Sequence, residues 1–233
     1  MQVLPNAHRW MTLPFFIAIA GFWFSYWSVF STVPFHQHLH GLTATLWFLL
    51  VIIQPWLIRR GSLKLHRKLG FIGLFGAGGV VFSALQIVTN NLSNESLSPV
   101  LRYGLTWGDF LFLAGFAHAV IMGVLNSKNT PVHARYMIAS AFWALLPALS
   151  RLIYFPLVIV FGFPPPLSFI NVIHVSVGLS LGILAFLIIR DYRTDGRVYA
   201  SYVLVAAGTL WFGLTVRYMG EATWWISFCD SLL

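Results

Sequence analysis

Residues 168–189 read SFINVIHVSVGLSLGILAFLII and are followed at once by Arg190. No Asp, Glu, Lys or Arg interrupts this stretch, and a helix rising about 1.5 Å per residue over it would cross a hydrocarbon layer of about 30 Å. The whole chain is similar in character, with 58% hydrophobic and 9% charged residues, whereas soluble domains carry roughly 25% charged residues. The sequence therefore predicts an all-α integral membrane protein that forms one domain over residues 1–233.

Six further apolar stretches are long enough to cross a bilayer, so we predict a bundle of about seven transmembrane helices. Proline and glycine residues separate the stretches, as expected of helix breakers in loops. The predicted spans are 12–33, 41–58, 69–90, 105–125, 136–161, 168–189 and 198–217. Within the fifth span, Pro147 and Pro156 are each expected to bend the helix because proline lacks a backbone N–H.

The distribution of lysine and arginine predicts the orientation, because positively charged loops stay in the cytoplasm. If the N-terminus is cytoplasmic, only Arg102 and Arg217 fall on the outer side. The inner side then carries Arg9, Arg59, Arg60, Lys64, Arg67, Lys68, Lys128, Arg135, Arg190, Arg193 and Arg197. We therefore expect a cytoplasmic N-terminus and an external C-terminus.

Net charge and cysteine content limit the classes of partner and cofactor. The formal charge of +8 is spread over short loops and not gathered in one patch, so membrane lipids are expected partners and nucleic acid is not. Cys229 is the single cysteine, which excludes an intramolecular disulfide and a site with several thiolate ligands.

Polar side chains inside the predicted spans are candidate functional residues, because ionisable groups are costly in hydrocarbon. Asp109 and Arg151 both fall in the outer half of the bundle, where they are expected to form an ion pair or to act on a proton or a substrate. Gln54 and Gln86 are further polar residues inside the spans, Gln86 toward the outer layer and Gln54 near the level of His118.

The histidines are predicted to lie in two layers. His40 and His174 fall near the outer face, whereas His66 and His133 each precede a span on the inner side. His118 lies about 20 Å deep from the outer face, at the 1.5 Å rise per residue of a helix, and so near the inner layer. Since His118 follows Asp109 by two and a half turns, these two side chains point to opposite faces and cannot share one site.

The segment Phe35-His36-Gln37-His38-Leu39-His40-Gly41 is the densest cluster of possible metal ligands. If the second helix begins early, His36 and His40 stand at i and i+4 on one face, where two imidazoles can hold one metal. If the segment is extended, all three histidines, including His38, face the same side. Neutral imidazole suits copper, zinc, iron or haem.

Residues 38–155 resemble an uncharacterised family of bacterial predicted multi-pass membrane proteins. In that family a histidine opens one helix, an H-R-x-x-G motif opens the next, and an H-R-x-x-M-x-x-S motif with a downstream arginine marks a later one. The matching residues are His40, Gly41, Trp47, Gln54, Arg59, Arg60, His66, Arg67, Gly70, His133, Met137, Ser140 and Arg151. Ala134 stands where a basic residue is usual. The resemblance implies a bacterial inner membrane location and no particular activity.

The histidines at helix ends also resemble, more loosely, those of the diheme cytochrome b superfamily. On that resemblance His40 and His174 would serve an outer haem b, and His66, His118 and His133 an inner one. No helix here carries two histidines at the spacing that would ligate both haems, which is a departure from that superfamily.

Three functional hypotheses follow. The first is a redox protein that binds haem b or a histidine-ligated metal and exchanges electrons with a quinone or an outer-side partner. The second is a small-molecule transporter, sensor or assembly factor without enzymatic activity. The third is a metal-dependent intramembrane hydrolase or oxygenase with zinc, copper or iron held by His36, His38, His40 and His174. A homo-oligomer is compatible with each of them.

Overall fold

The computed structural model describes residues 6–233, and this part of the chain contains helices and connections but no strand. The all-α prediction is therefore confirmed over this range. The helices are α1 (Ala7–Trp10), α2 (Thr12–Gly21), α3 (Phe35–Arg59), α4 (Leu63–Leu92), α5 (Pro99–Leu125), α6 (Thr130–Trp143), α7 (Leu146–Phe161), α8 (Phe169–Asp195), α9 (Ala200–Glu221) and α10 (Thr223–Asp230).

Within residues 6–233, six helical segments are long and apolar enough to cross a membrane. Five of them are single helices, namely α3, α4, α5, α8 and α9, and the sixth is α6 with α7, which together cover Thr130–Phe161. Many large apolar side chains on these helices are exposed, as expected of surfaces that face lipid. The helices within residues 6–233 therefore support a polytopic membrane protein, with six segments of the required length and hydropathy where about seven were predicted.

The first predicted span is not one continuous helix. After α2 ends at Gly21, the backbone widens into one π-helical segment over Trp23–Trp27 and then into turns. Residues 6–26 nevertheless run beside α3. Arg59, at the end of α3, donates to the Asn6 side chain over 3.4 Å, and Tyr26 contacts His38 near the start of α3. Gly21, the last residue of α2, lies against the backbone of Ala148. Glycine is a weak helix former.

The fifth predicted span is interrupted in its middle. Helix α6 ends at Trp143 and α7 begins at Leu146, because Pro147 has no N–H to offer the carbonyl of Trp143 and its ring would clash with that carbonyl. The two halves then pack on different neighbours: α6 lies against α5 and α9, whereas α7 lies against α2 and α8. Helix α7 continues through Pro156.

Helix α5 lies at the centre of the bundle and packs against α4, α6 and α9. Glycines allow close approach at these contacts, and the Trp143 indole lies against both Gly115 of α5 and Gly208 of α9. At the other end of α5, the short α10 folds back so that the Trp225 indole donates to the Tyr103 carbonyl over 3.0 Å. Trp225 is therefore buried, while Trp224 is exposed.

Candidate functional site

His40 is held against α4 by a buried hydroxyl. Its Nδ1 lies 3.2 Å from Ser83 Oγ, and Ser83 donates its own proton to the Gly79 carbonyl over 2.7 Å. When Ser83 donates to Gly79, its oxygen accepts from Nδ1–H of His40, and the lone pair is then on His40 Nε2. Such a tautomer is typical of a metal ligand or a base.

The other two histidines of the cluster face different neighbours. Since α3 begins at Phe35, His36 and His40 do stand one turn apart on a helix. His38 Nδ1 instead lies 3.2 Å from the Tyr26 hydroxyl, and its ring packs against Phe30. His36 Nε2 is buried without a hydrogen-bond partner among residues 6–233. The segment is therefore helical, and its three imidazoles do not share one side.

His174 and His118 are both exposed. His174 Nδ1 lies 2.8 Å from the Ile170 carbonyl oxygen, and its Nε2 lies 3.0 Å from the Gly213 carbonyl oxygen on α9. Both ring nitrogens are thus directed at backbone acceptors. The His118 ring packs against Tyr136, with ring centroids 6.0 Å apart.

Asp109 and Arg151 do not contact each other. The ion pairs within residues 6–233 join Arg135 to Asp191 and Asp195, and Arg217 to Glu221. Asp109 instead accepts one hydrogen bond of 3.4 Å from Asn91 on α4.

Arg151 likewise has local partners. It donates to the Pro147 carbonyl over 3.0 Å, and its guanidinium lies 5.0 Å from the centre of the Phe22 ring. Gln86, expected beside these charges, is exposed. Within residues 6–233, Asp109 and Arg151 thus form one side-chain hydrogen bond each, fewer than a carboxylate and a guanidinium can form.

The structure brings His66 and His133 together. Their ring centroids are 6.4 Å apart and their planes are nearly perpendicular, at 79°. Each histidine lies in the first turn of its helix, α4 or α6. We call these two residues the inner histidine pair.

The last turn of α5 fixes the tautomer of His133. The carbonyl of Gly123 is among the four that a helix leaves without an intrahelical partner at its end, and it lies 2.7 Å from His133 Nδ1. Because a carbonyl only accepts, Nδ1 of His133 carries the proton and Nε2 keeps a lone pair. This arrangement, with one ring nitrogen bonded to a backbone carbonyl, recurs among metal-ligating histidines.

Two buried polar atoms, one in the pair and one beside it, have no hydrogen-bond partner within the described residues. They are His66 Nδ1 and Gln54 Oε1. The amide of Gln54 donates to the His66 carbonyl over 3.2 Å, which ties the end of α3 to the start of α4. Buried polar atoms without partners are costly, so these two atoms are candidates to contact a bound group.

The separation of the pair is compatible, in distance alone, with coordination of one metal ion. Bonds of about 2.0–2.1 Å from two imidazoles to one metal place their ring centroids roughly 5–6.5 Å apart, which includes the observed 6.4 Å. In the part of the chain that the structure covers, no three His, Cys, Asp or Glu side chains are close enough to hold a metal ion. Two protein ligands are fewer than zinc sites use, but two suffice for haem iron, whose macrocycle supplies the rest.

A second polar cluster, which the sequence did not predict, lies near the inner pair. Arg135, at 1% exposure, donates to both carboxylate oxygens of Asp191 over 2.8 and 3.0 Å and to Asp195 over 2.6 Å. Its guanidinium lies 4.0 Å from the centre of the Tyr199 ring. Arg135, counted above among the basic residues of the inner-side loops, joins α6 to α8. One feature of the sequence could have indicated this cluster: Asp191 and Asp195, two of only six acidic residues, stand four residues apart.

Tyr199 completes this cluster from the connection between α8 and α9. Its hydroxyl donates to Asp195 over 3.0 Å. Burial and this hydrogen bond raise the pKa of Tyr199, so the phenol stays protonated and continues to donate.

No protein-family model, curated protein or solved structure matches this chain. The family resemblance of residues 38–155 stays a prediction from short motifs. Several of the residues that carry it nevertheless contact one another: the Trp47 indole donates to Ser140 over 3.0 Å, and Gln54 donates to the backbone of His66.

Proposed function

We propose that this chain is an integral membrane redox protein in which the inner histidine pair holds haem b or another redox metal. The single observation that carries the proposal is the 6.4 Å separation of the His66 and His133 rings, with His133 Nδ1 bonded to a carbonyl. Iron or copper held there would supply one-electron transfer with a quinone or an outer-side partner. The chain's own residues orient the ligands: Gly123 fixes the His133 tautomer, and Gln54 fixes the start of α4.

The proposal is tested by the optical spectrum and metal content of detergent-purified protein, expressed with haem precursor and metal supplements. We expect a Soret band with a reducible alpha band, or about one iron or copper per chain. His66→Ala and His133→Ala should lose the signal, because each removes one of two ligands. His118→Ala and His174→Ala are matched controls that should keep it, since these histidines are exposed and stand outside the pair.

Colourless, metal-free protein with native helicity would refute the redox proposal. So would a cofactor that survives both His66→Ala and His133→Ala. Loss of the spectral or metal signal in His40→Ala alone would assign the cofactor to the outer histidine layer.

A second candidate function, small-molecule or proton transport, is favoured by the two unpaired charges of the outer half. Asp109 and Arg151 are not in ion-pair contact, and Arg151 lies on α7 just after the interruption at residues 144–145. Discontinuous helices that carry charges often line transport sites. Proton flux into dye-loaded proteoliposomes under an imposed potential should then vanish in Asp109→Asn. Glu221→Gln, an exposed outer-side control, should leave it unchanged.

We also infer the membrane topology. Because residues 6–26 follow α3 from its Arg59 end to its His38 end, the N-terminal segment provides a seventh crossing. With the inner side defined by lysine and arginine, the N-terminus is cytoplasmic and the C-terminus external in a bacterial inner membrane.

A further inference from the structure

A cleft opens beside the start of α9, at the end of the bundle that carries the inner histidine pair. It has a volume of about 330 Å³ and is bounded by Val132 and Tyr136 of α6 and by residues 197–201. No side chain caps this helix: Tyr199 occupies the N-cap position without a capping hydrogen bond. The first backbone N–H groups of α9 therefore have no intrahelical partner and carry the positive end of the helix dipole.

Ser201 provides an independent indication of a ligand. Its side chain lines the cleft and is 2% exposed, yet its Oγ has no hydrogen-bond partner within residues 6–233. Of the seven other buried serines and threonines within the described residues, five donate to a backbone carbonyl, namely Ser83, Thr106, Ser140, Ser150 and Ser176. A buried hydroxyl without a partner costs free energy, and it would be satisfied by an acceptor placed in the cleft.

The charges around the cleft favour an anionic acceptor. Arg197 lines it, is exposed, and forms no ion pair within the described residues. The nearby carboxylates are already engaged, Asp191 by Arg135 and Asp195 by both Arg135 and Tyr199. An arginine, a hydroxyl and free N–H groups at a helix N-terminus together match a phosphate group.

We propose that this cleft binds a phosphate group, either that of a phospholipid headgroup or that of a free phosphate. Arg197 supplies the charge, Ser201 donates through its hydroxyl, and the first turn of α9 donates through its backbone. Neither His66 nor His133 lines the cleft, so the proposed contacts to phosphate do not involve a bound metal.

Native mass spectrometry of the delipidated full chain tests the proposal. The probes are short-chain phosphatidylglycerol, the corresponding diacylglycerol, and inorganic phosphate. We expect phosphatidylglycerol to bind more tightly than diacylglycerol, and Arg197→Gln to weaken it about tenfold, the effect of one charge-assisted hydrogen bond. Ser201→Ala should weaken it about fivefold. Inorganic phosphate that binds or displaces the lipid would identify the free ion as a ligand, whereas lipid binding alone would identify the headgroup.

Arg193→Gln is the matched control, because Arg193 is an exposed arginine near the end of α8 that does not line the cleft. It should change binding less than twofold. An equal loss in Arg193→Gln and Arg197→Gln would overturn the proposal, since it would indicate only diffuse attraction to a basic surface. Binding of neither phosphatidylglycerol above diacylglycerol nor inorganic phosphate would overturn it as well.

Discussion

Arg135 shows how a charged side chain is kept inside an apolar bundle. Its hydrogen bonds reach Asp191 and Asp195 on α8 and the Pro131 carbonyl on its own helix, so α6 and α8 meet at one guanidinium. A buried charge is tolerated when its partners satisfy it, and removal of one partner leaves the other uncompensated.

We therefore predict that Arg135→Met strongly destabilises the protein, by about 3–5 kcal/mol, the usual cost of breaking a buried pair. The reason is that Asp191, at 2% exposure, would lose its cation. Thermal unfolding followed by size-exclusion chromatography of heated samples measures the effect. Arg193→Met, on the exposed surface, is the control and should unfold like the parent. Equal midpoints for both variants would contradict a stabilising role for the cluster.

Cys229 is predicted to be unreactive in the folded protein. The side chain is fully buried, and burial together with the neighbouring Asp230 raises the pKa of the Cys229 thiol to about 11. Since only the thiolate reacts quickly, maleimide at neutral pH should label Cys229 only after denaturation.

A matched control moves the thiol to the surface. Cys229→Ser combined with Ser231→Cys places it at an exposed position, where it should be labelled at once. Rapid labelling of the native parent would show that α10 does not stay packed on α5.

At the scale of elements, the packing of α5, α6 and α9 depends on space for one indole. Trp143 ends α6 and lies against Gly115 and Gly208, so a Cβ at either glycine would collide with its ring. The interruption before Pro147 gives Trp143 this position, because α6 stops there and the chain leaves the centre of the bundle for α2 and α8.

We expect Gly208→Ala and Gly115→Ala each to destabilise the protein by about 1–3 kcal/mol, the cost of overpacking a tight core. Gly182→Ala on α8 is the matched control, since a Cβ there meets nothing within 4 Å. It should be neutral or slightly stabilising, because alanine is the better helix former. Combining Gly208→Ala with Trp143→Phe should recover part of the loss in unfolding midpoint. Equal midpoints for Gly208→Ala and Gly182→Ala would argue against the contact.

At the scale of the whole molecule, the proposed seven crossings place the two termini on opposite sides of the membrane. We predict that alkaline phosphatase fused after Leu233 is active and that a green fluorescent protein fused there is dark. A phosphatase fused between Ser127 and Lys128, in the connection from α5 to α6, should be inactive. The reversed pattern would mean that the N-terminal segment does not cross or that the orientation is inverted.

Much of this architecture was predictable because hydrocarbon imposes simple requirements. A stretch such as residues 168–189 can satisfy its backbone in lipid only as a helix, and the structure has α8 there. Helix continuity was harder to predict from neighbouring residues where contacts with other helices intervened. The first span is broken where Gly21 meets Ala148, and Pro147 separates α6 from α7 while Pro156 stays inside α7.

The chain by itself determined which residues lie in apolar helices, because hydropathy and helix length are properties of consecutive residues. Only the tertiary structure decided which polar groups meet. His66 and His133 stand 67 positions apart in the numbering, and Arg135 stands 56 positions before Asp191. The periodicity of one helix does not tell which face another helix packs against it. For the same reason Asp109 and Arg151, expected to pair at one depth, have separate partners: depth in the membrane follows from sequence, whereas rotation and neighbour choice follow from packing.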